Sequence, residues 1–158
     1  MKSLNVAMLA AAATIAMGGV ASAQEDSDIS LSFNAGAATD YVFRGVSQTD
    51  EGGQIFAGAD VSFAKIGYAG LWVSNVEFNN GTELEYDLYA GLKPTLGPVA
   101  LDLGVIYYGY TNSPSGPDQD YVEFKVAGSV PVGPGTIGAA VYYSSDFFGE
   151  TGKATYYE

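Results

Sequence analysis

From Ile29 onward, apolar side chains return at every second position in one segment after another, and no stretch carries a convincing helical period. A repeat of two is that of a pleated strand, whose successive side chains point to opposite faces. The chain is therefore read as all-β. Leu31, Phe33, Ala35, Ala37, Tyr41 and Phe43 are expected on one face, with Ser30, Ser32, Asn34, Gly36, Asp40 and Arg44 on the other. Ile55, Ala57, Ala59, Val61 and Phe63 repeat the pattern, broken only by Phe56. A third run, 67–78, slips phase at Val76 and Phe78, which a β-bulge near Ser74-Asn75 or an irregular strand end would produce. Leu84 to Leu92, Val99 to Tyr107, Val122 to Val130 and Ile137 to Tyr143 follow, and an eighth run opens at Lys153.

The connections alternate in kind. Ala64 to Gly67, Pro94 to Pro98 and Pro131 to Gly135 are tight and carry Gly or Pro, whereas 45–53, 79–82, 111–119 and 148–152 are longer or more acidic. Short turns at one end and longer polar loops at the other are expected of an up-and-down transmembrane β-barrel. A soluble barrel or sandwich would show the same alternation with its apolar face turned inward. Two features favour the membrane: several runs reach about 10 residues, enough to cross hydrocarbon at a tilt, and the opposite face holds charges such as Glu83, Glu85 and Asp87 that would be costly in a dry core. Tyr41, Phe43, Phe78, Tyr107, Tyr110, Tyr143 and Phe147 fall near strand ends beside the longer loops and are read as an interfacial aromatic belt.

Met1 and Lys2 followed by an apolar stretch and Ala21-Ser22-Ala23 have the form of an export signal, so residues 1–23 are expected to be a cleaved leader and 24–158 one β-barrel domain. Lys2 is one of six Lys and Arg in the chain, and its loss leaves a strongly acidic domain with 18 Asp and Glu. That balance argues against nucleic acid, whose affinity comes largely from cations on phosphates. The chain has neither cysteine nor histidine. Disulfide staples, Ser-His-Asp and Cys-His constellations and His-ligated zinc are thereby excluded, and no cofactor, metal site or enzymatic activity is expected.

The candidate lumen or loop-mouth residues are Asp40, Arg44, Asp60, Glu83, Glu85, Asp87, Lys93, Asp102, Glu123 and Lys125. Arg44, among Asp40, Asp50 and Glu51, reads either as a pore-lining cation or as a partner of Asp40 fastening loop to strand. Glu83, Glu85 and Asp87 repeat along one face at about 7 Å, as a cation path or simply as a hydrated surface. Asp118 and Asp120 could offer oxygens to Ca²⁺, but solvated loop acids are the simpler reading.

The run Asp40-Tyr41-Val42-Phe43-Arg44-Gly45-Val46-Ser47-Gln48-Thr49 resembles the signature of the TorF-like family of proteobacterial porins. The stretches 72–78, 85–91, 104–110 and 120–124 are similar to further blocks of that family in the same order. The resemblance implies an outer-membrane barrel of channel function, with Asp40, Tyr41, Phe43, Arg44, Gly45, Ser47 and Gln48 as motif residues. It also implies lipid, lipopolysaccharide and the barrel-assembly machinery as partners and small solutes as cargo. Members of that family continue for several more strands, so about eight strands of a barrel of about twelve are expected here, from a fragment or truncated product. The expected function is passive diffusion of small solutes or ions. The alternatives are a non-conducting structural or adhesive barrel and a soluble periplasmic all-β binding protein.

Overall fold

The computed structural model describes residues 28–158. The leader read at 1–23 lies outside the described residues. The elements are β1 (Ile29–Ala38), β2 (Val42–Phe43), β3 (Val46–Ser47), β4 (Gln54–Phe63), β5 (Gly67–Asn75), β6 (Leu84–Leu92), β7 (Thr95–Leu96), β8 (Val99–Thr111), β9 (Tyr121–Val132), β10 (Gly135–Ser144) and β11 (Ala154–Tyr157), with one 3-10 turn at Phe148–Glu150. Among the described residues no helix is long and apolar enough to cross a membrane.

Eight strands form one antiparallel sheet in the order β1-β4-β5-β6-β8-β9-β10-β11, each paired with its neighbours in the chain, and the short β7 pairs with the start of β8. β2 and β3 form a separate hairpin. The sheet is open, since β1 and β11 are its two edges and do not pair. Laid flat, seven steps between strands would put those edges about 34 Å apart. Yet the guanidinium of Arg44, six residues beyond β1, lies 4.2 Å from the Tyr156 ring of β11. The sheet is therefore curled around the hairpin.

The registers carry the two-residue repeat coherently across the sheet. Leu71 stands opposite Leu88, Leu88 opposite Tyr107, Tyr107 opposite Val122, Val105 opposite Phe124 and Val126 opposite Val141. On the other face Ser74 stands opposite Glu85, Glu85 opposite Tyr110, Asp87 opposite Tyr108 and Lys125 opposite Tyr142. Their exposure is inverted relative to a water-soluble domain. Glu85 and Glu123 are 2% exposed, whereas Leu88 is 49% and Ile137 64% exposed. The polar face is the inner one, and the apolar face looks outward.

Two expectations about strand ends are corrected. β1 stops at Ala38, so Tyr41 and Phe43 do not continue its apolar face. Nor is there a bulge at Ser74-Asn75. The β5–β6 register runs unbroken to Asn75 opposite Leu84, and the Val76 amide donates to the Glu83 carbonyl at 3.0 Å. Val76 keeps the inward phase and is 4% exposed, an apolar residue under the loops rather than a slipped one. The tight turns lie where expected, but Ala64 and Lys65 carry the positive φ of the first (49° and 63°), while Gly97 and Gly133 do so in the other two.

Small residues make room for rings on the inner face. A methyl group at Gly91 would meet the Tyr68 ring and the Leu103 carbonyl oxygen, 2.5 Å away. Backbone cannot yield as a side chain can, so Gly91→Ala should lower stability by about 1–3 kcal/mol. At Gly128 the nearest atom would lie 3.4 Å off, and Gly128→Ala should be neutral by comparison. Urea unfolding of the two variants in vesicles checks the contrast, and equal midpoints would refute this packing.

Candidate functional site

The segment after β1 turns inward because of its own local chemistry. Val42 pairs with Ser47 and Phe43 with Val46, leaving Arg44 and Gly45 as a two-residue connection with φ of 50° and 86°. Positive φ at both positions is the requirement of a type I′ hairpin, which explains a glycine at 45. Ser47 Oγ donates to Asp40 Oδ1 at 2.6 Å and accepts from the Glu51 amide at 2.8 Å. The Gln48 amide donates to the Tyr41 carbonyl at 2.6 Å, and the Tyr41 amide to Thr49 Oγ1 at 3.1 Å. The Glu77 amide donates to the Gln48 carbonyl at 2.8 Å, tying the hairpin to the chain beyond β5.

So held, the hairpin lays its side chains across the inner face. The Tyr41 hydroxyl donates to Glu85 Oε1 at 2.7 Å, and its ring meets Trp72 edge-on at 5.4 Å. Burial, and then the charge of Glu85, push that hydroxyl well above the ordinary phenol range, so it remains a donor. Phe43 packs on Tyr108 at 5.8 Å, and Tyr108 stacks on Tyr121 at 4.4 Å. Arg44 reaches furthest. Both of its terminal nitrogens donate to Glu123, each at 2.7 Å, and its guanidinium lies 4.6, 5.0 and 4.2 Å from the rings of Phe43, Tyr142 and Tyr156. Burial opposes the arginine's charge, but the hydrogen bonds and charge of Glu123 outweigh it and hold the guanidinium protonated above its ordinary range.

The expected pairing of Arg44 with Asp40 is thus replaced by a bidentate pair with Glu123, 79 positions away in the chain. Asp40 instead organises the hairpin's own hydroxyls. Nothing in sequence spacing announced the partner, although both residues stood among the candidates. The row of three acids is corrected as well. Glu85 and Asp87 face inward, and Asp87 Oδ1 is buried without a partner among the described residues. Glu83 sits exposed at the rim, accepting from Asn112 Nδ2 at 3.1 Å. Asp120 is spent within its loop, accepting from the Tyr110 amide at 2.8 Å and from the Tyr107 hydroxyl. Among the described residues no group of acids is arranged to hold a metal ion.

The other candidates gather nearer the tight-turn end. Lys125 Nζ pairs with Asp102 Oδ2 at 2.7 Å, and Tyr68 donates to the other oxygen at 2.7 Å. Tyr89 donates to Asp60 at 2.5 Å, and Lys93 lies over the Tyr68 ring at 4.5 Å. Nor do the seven aromatics of the expected belt form one set. Tyr107 and Tyr143 face outward with Tyr86, but Tyr41, Phe43, Phe78, Tyr110 and Phe147 turn in. The sequence pattern placed them near strand ends correctly. It could not tell which way the chain folds after a strand stops.

Space remains along the inner face. Near the tight turns are chambers of about 400 Å³, walled by Ser32, Asp60 and Tyr89, and about 440 Å³, walled by Ser129 and Tyr142. The two share Lys93, Asp102 and Lys125. A chamber of about 270 Å³ shares Ile106 with the first of them and Tyr142 with the second. It is divided from a fourth, of about 470 Å³ at the loop end, by Phe43 and Arg44, which wall both.

A family model described as "Bacterial protein of unknown function (Gcw_chp)" matches residues 22–158. No curated protein and no solved structure matches the chain.

Proposed function

The chain belongs to the Gcw_chp family, and for this member we propose a non-enzymatic outer-membrane β-barrel that passes small solutes, with the inward hairpin as its constriction. The carrying observation is the inverted distribution of polarity: carboxylates on the inner face are buried, while leucine, valine, isoleucine and phenylalanine line the outer face exposed. In water such a surface would be an extended apolar patch. In a bilayer it is the face that lipid covers, with charged groups turned to a wet interior. The outward tyrosines Tyr86, Tyr107 and Tyr143 cluster toward the loop end of their strands, where an interfacial girdle belongs. Export through the leader at 1–23 and assembly into the outer membrane with lipopolysaccharide around it belong to the same proposal.

Adjoining chambers with shared walls support a solute path rather than a filled interior, and Phe43 with Arg44 stands at its narrowest division. Around that division Glu85, Asp87 and Glu123 outnumber the single guanidinium, and a buried carboxylate oxygen without a partner favours a nearby cation or water. The expected result in a planar bilayer under a potassium chloride gradient is a reversal potential on the cation side, reduced by Asp87→Asn. Anion preference would refute the assignment.

The packing of the hairpin on β6 to β11 favours a second reading, a barrel whose interior is plugged and whose role is structural or adhesive. Inserted protein with no conductance would decide for it.

A further inference from the structure

The chamber at the loop end differs in kind from those below. It lies among the hairpin (Ser47, Gln48), the connection after β5 (Phe78, Asn80), the facing ends of β8 and β9 (Tyr110, Tyr121) and the 3-10 turn region (Phe147, Phe148). Its volume of about 470 Å³ suits a small organic molecule. Phe78, Tyr110 and Phe148 stand 5.4 to 5.6 Å from one another, with Phe148 nearly perpendicular to both partners at 87°. Phe147 adds a fourth side through Tyr121, at 4.6 Å. Four separate parts of the chain thus deliver rings to one cavity.

The charge around those rings has one sign. The connections 39–53, 76–83, 112–120 and 145–153 all carry acids, and their only bases are Arg44 and Lys153. Arg44 is neutralised by Glu123. A small metal ion would want a shell of oxygens, which aromatic walls do not give. An anion would meet a repulsive field. A neutral apolar solute would fit the walls but gain nothing from the acids. An alkylammonium satisfies both, because ring faces attract a diffuse cation and the acidic rim concentrates it. Arg44 displays the same chemistry one layer below, where a guanidinium is surrounded by three rings.

We propose that this chamber is a capture site for small organic cations of the quaternary-ammonium type. The site extends the channel reading by naming a class of solute, but it needs only the folded barrel and not conduction. The test is calorimetric titration of the full chain, folded in detergent, with choline and with its neutral isostere 3,3-dimethyl-1-butanol. Choline should bind about tenfold more tightly than the alcohol, and Phe148→Leu should weaken choline about tenfold, each about 1.4 kcal/mol. The variant's heat-resistant migration on a gel reports that it is still folded. Equal affinity for the two compounds, absence of saturable choline binding, or a Phe148→Leu variant that binds as well as the parent would each overturn the proposal. A protein that binds choline but never conducts would remove the channel reading and leave this one standing.

Discussion

Replacing Leu88 by arginine is expected to cost about 2–4 kcal/mol of folding stability in lipid vesicles, the penalty of a cation at mid-membrane depth on a barrel's outer face. Leu88 is the central residue of β6, between Leu71 and Tyr107 on the outward side, and is half exposed. Surface rules for a water-soluble protein predict the opposite: a half-exposed leucine tolerates such a change within about 0.5 kcal/mol. The variant therefore separates two solvents that geometry alone treats alike. Leu96, 71% exposed beside a tight turn, supplies the control. Arginine there should cost about 0–1 kcal/mol, because the interface accommodates charge. Urea titration of folded and unfolded gel bands measures both, and equal tolerance at Leu88 and Leu96 would remove lipid from the outer face.

Arg44→Ala should be the most damaging change on the inner face. It leaves the Glu123 carboxylate, 2% exposed, without its bidentate partner, and breaking such a pair from one side costs about 3–5 kcal/mol. It also removes the cation from the rings of Phe43, Tyr142 and Tyr156, which carry the hairpin to β10 and β11. With the hairpin loosened, the partition it makes with Phe43 should widen and single-channel conductance should rise. Arg44→Met combined with Glu123→Leu should recover most of the stability, since an apolar pair of similar volume escapes the desolvation penalty. A single variant as stable as the parent would show that the ion pair does not hold the hairpin.

Much of the architecture was legible in the alternation itself. The faces of β1, β4, β6, β8, β9 and β10 follow residue by residue from a period of two, because pairing a strand one position out of register would turn all its leucines inward. What the pattern could not supply was everything beyond a strand end. The run from Leu31 to Phe43 looks like one strand, yet the positive φ of Arg44 and Gly45 and the hydroxyls gathered on Asp40 fold its last third into a hairpin. Gly45 and Ser47 were visible as motif members, and their roles become clear only once Glu51 and Tyr41 are seen to share the turn. The Arg44–Glu123 pair was beyond reach for a different reason. It depends on the curl of the whole sheet, a property that no local window carries. Val76 misled in the opposite sense, since an apolar side chain among polar inward neighbours imitates a change of phase when it is only a change of chemistry.

The two unpaired edges of the sheet fix an arithmetic for any ring it takes part in. Eight strands that alternate in direction leave β1 and β11 running opposite ways, so the gap closes with every pair antiparallel only if it is bridged by none, two, four or some other even number of strands. An odd insertion would force a parallel seam. Parity, and not diameter, is what this curved sheet already dictates about its complement.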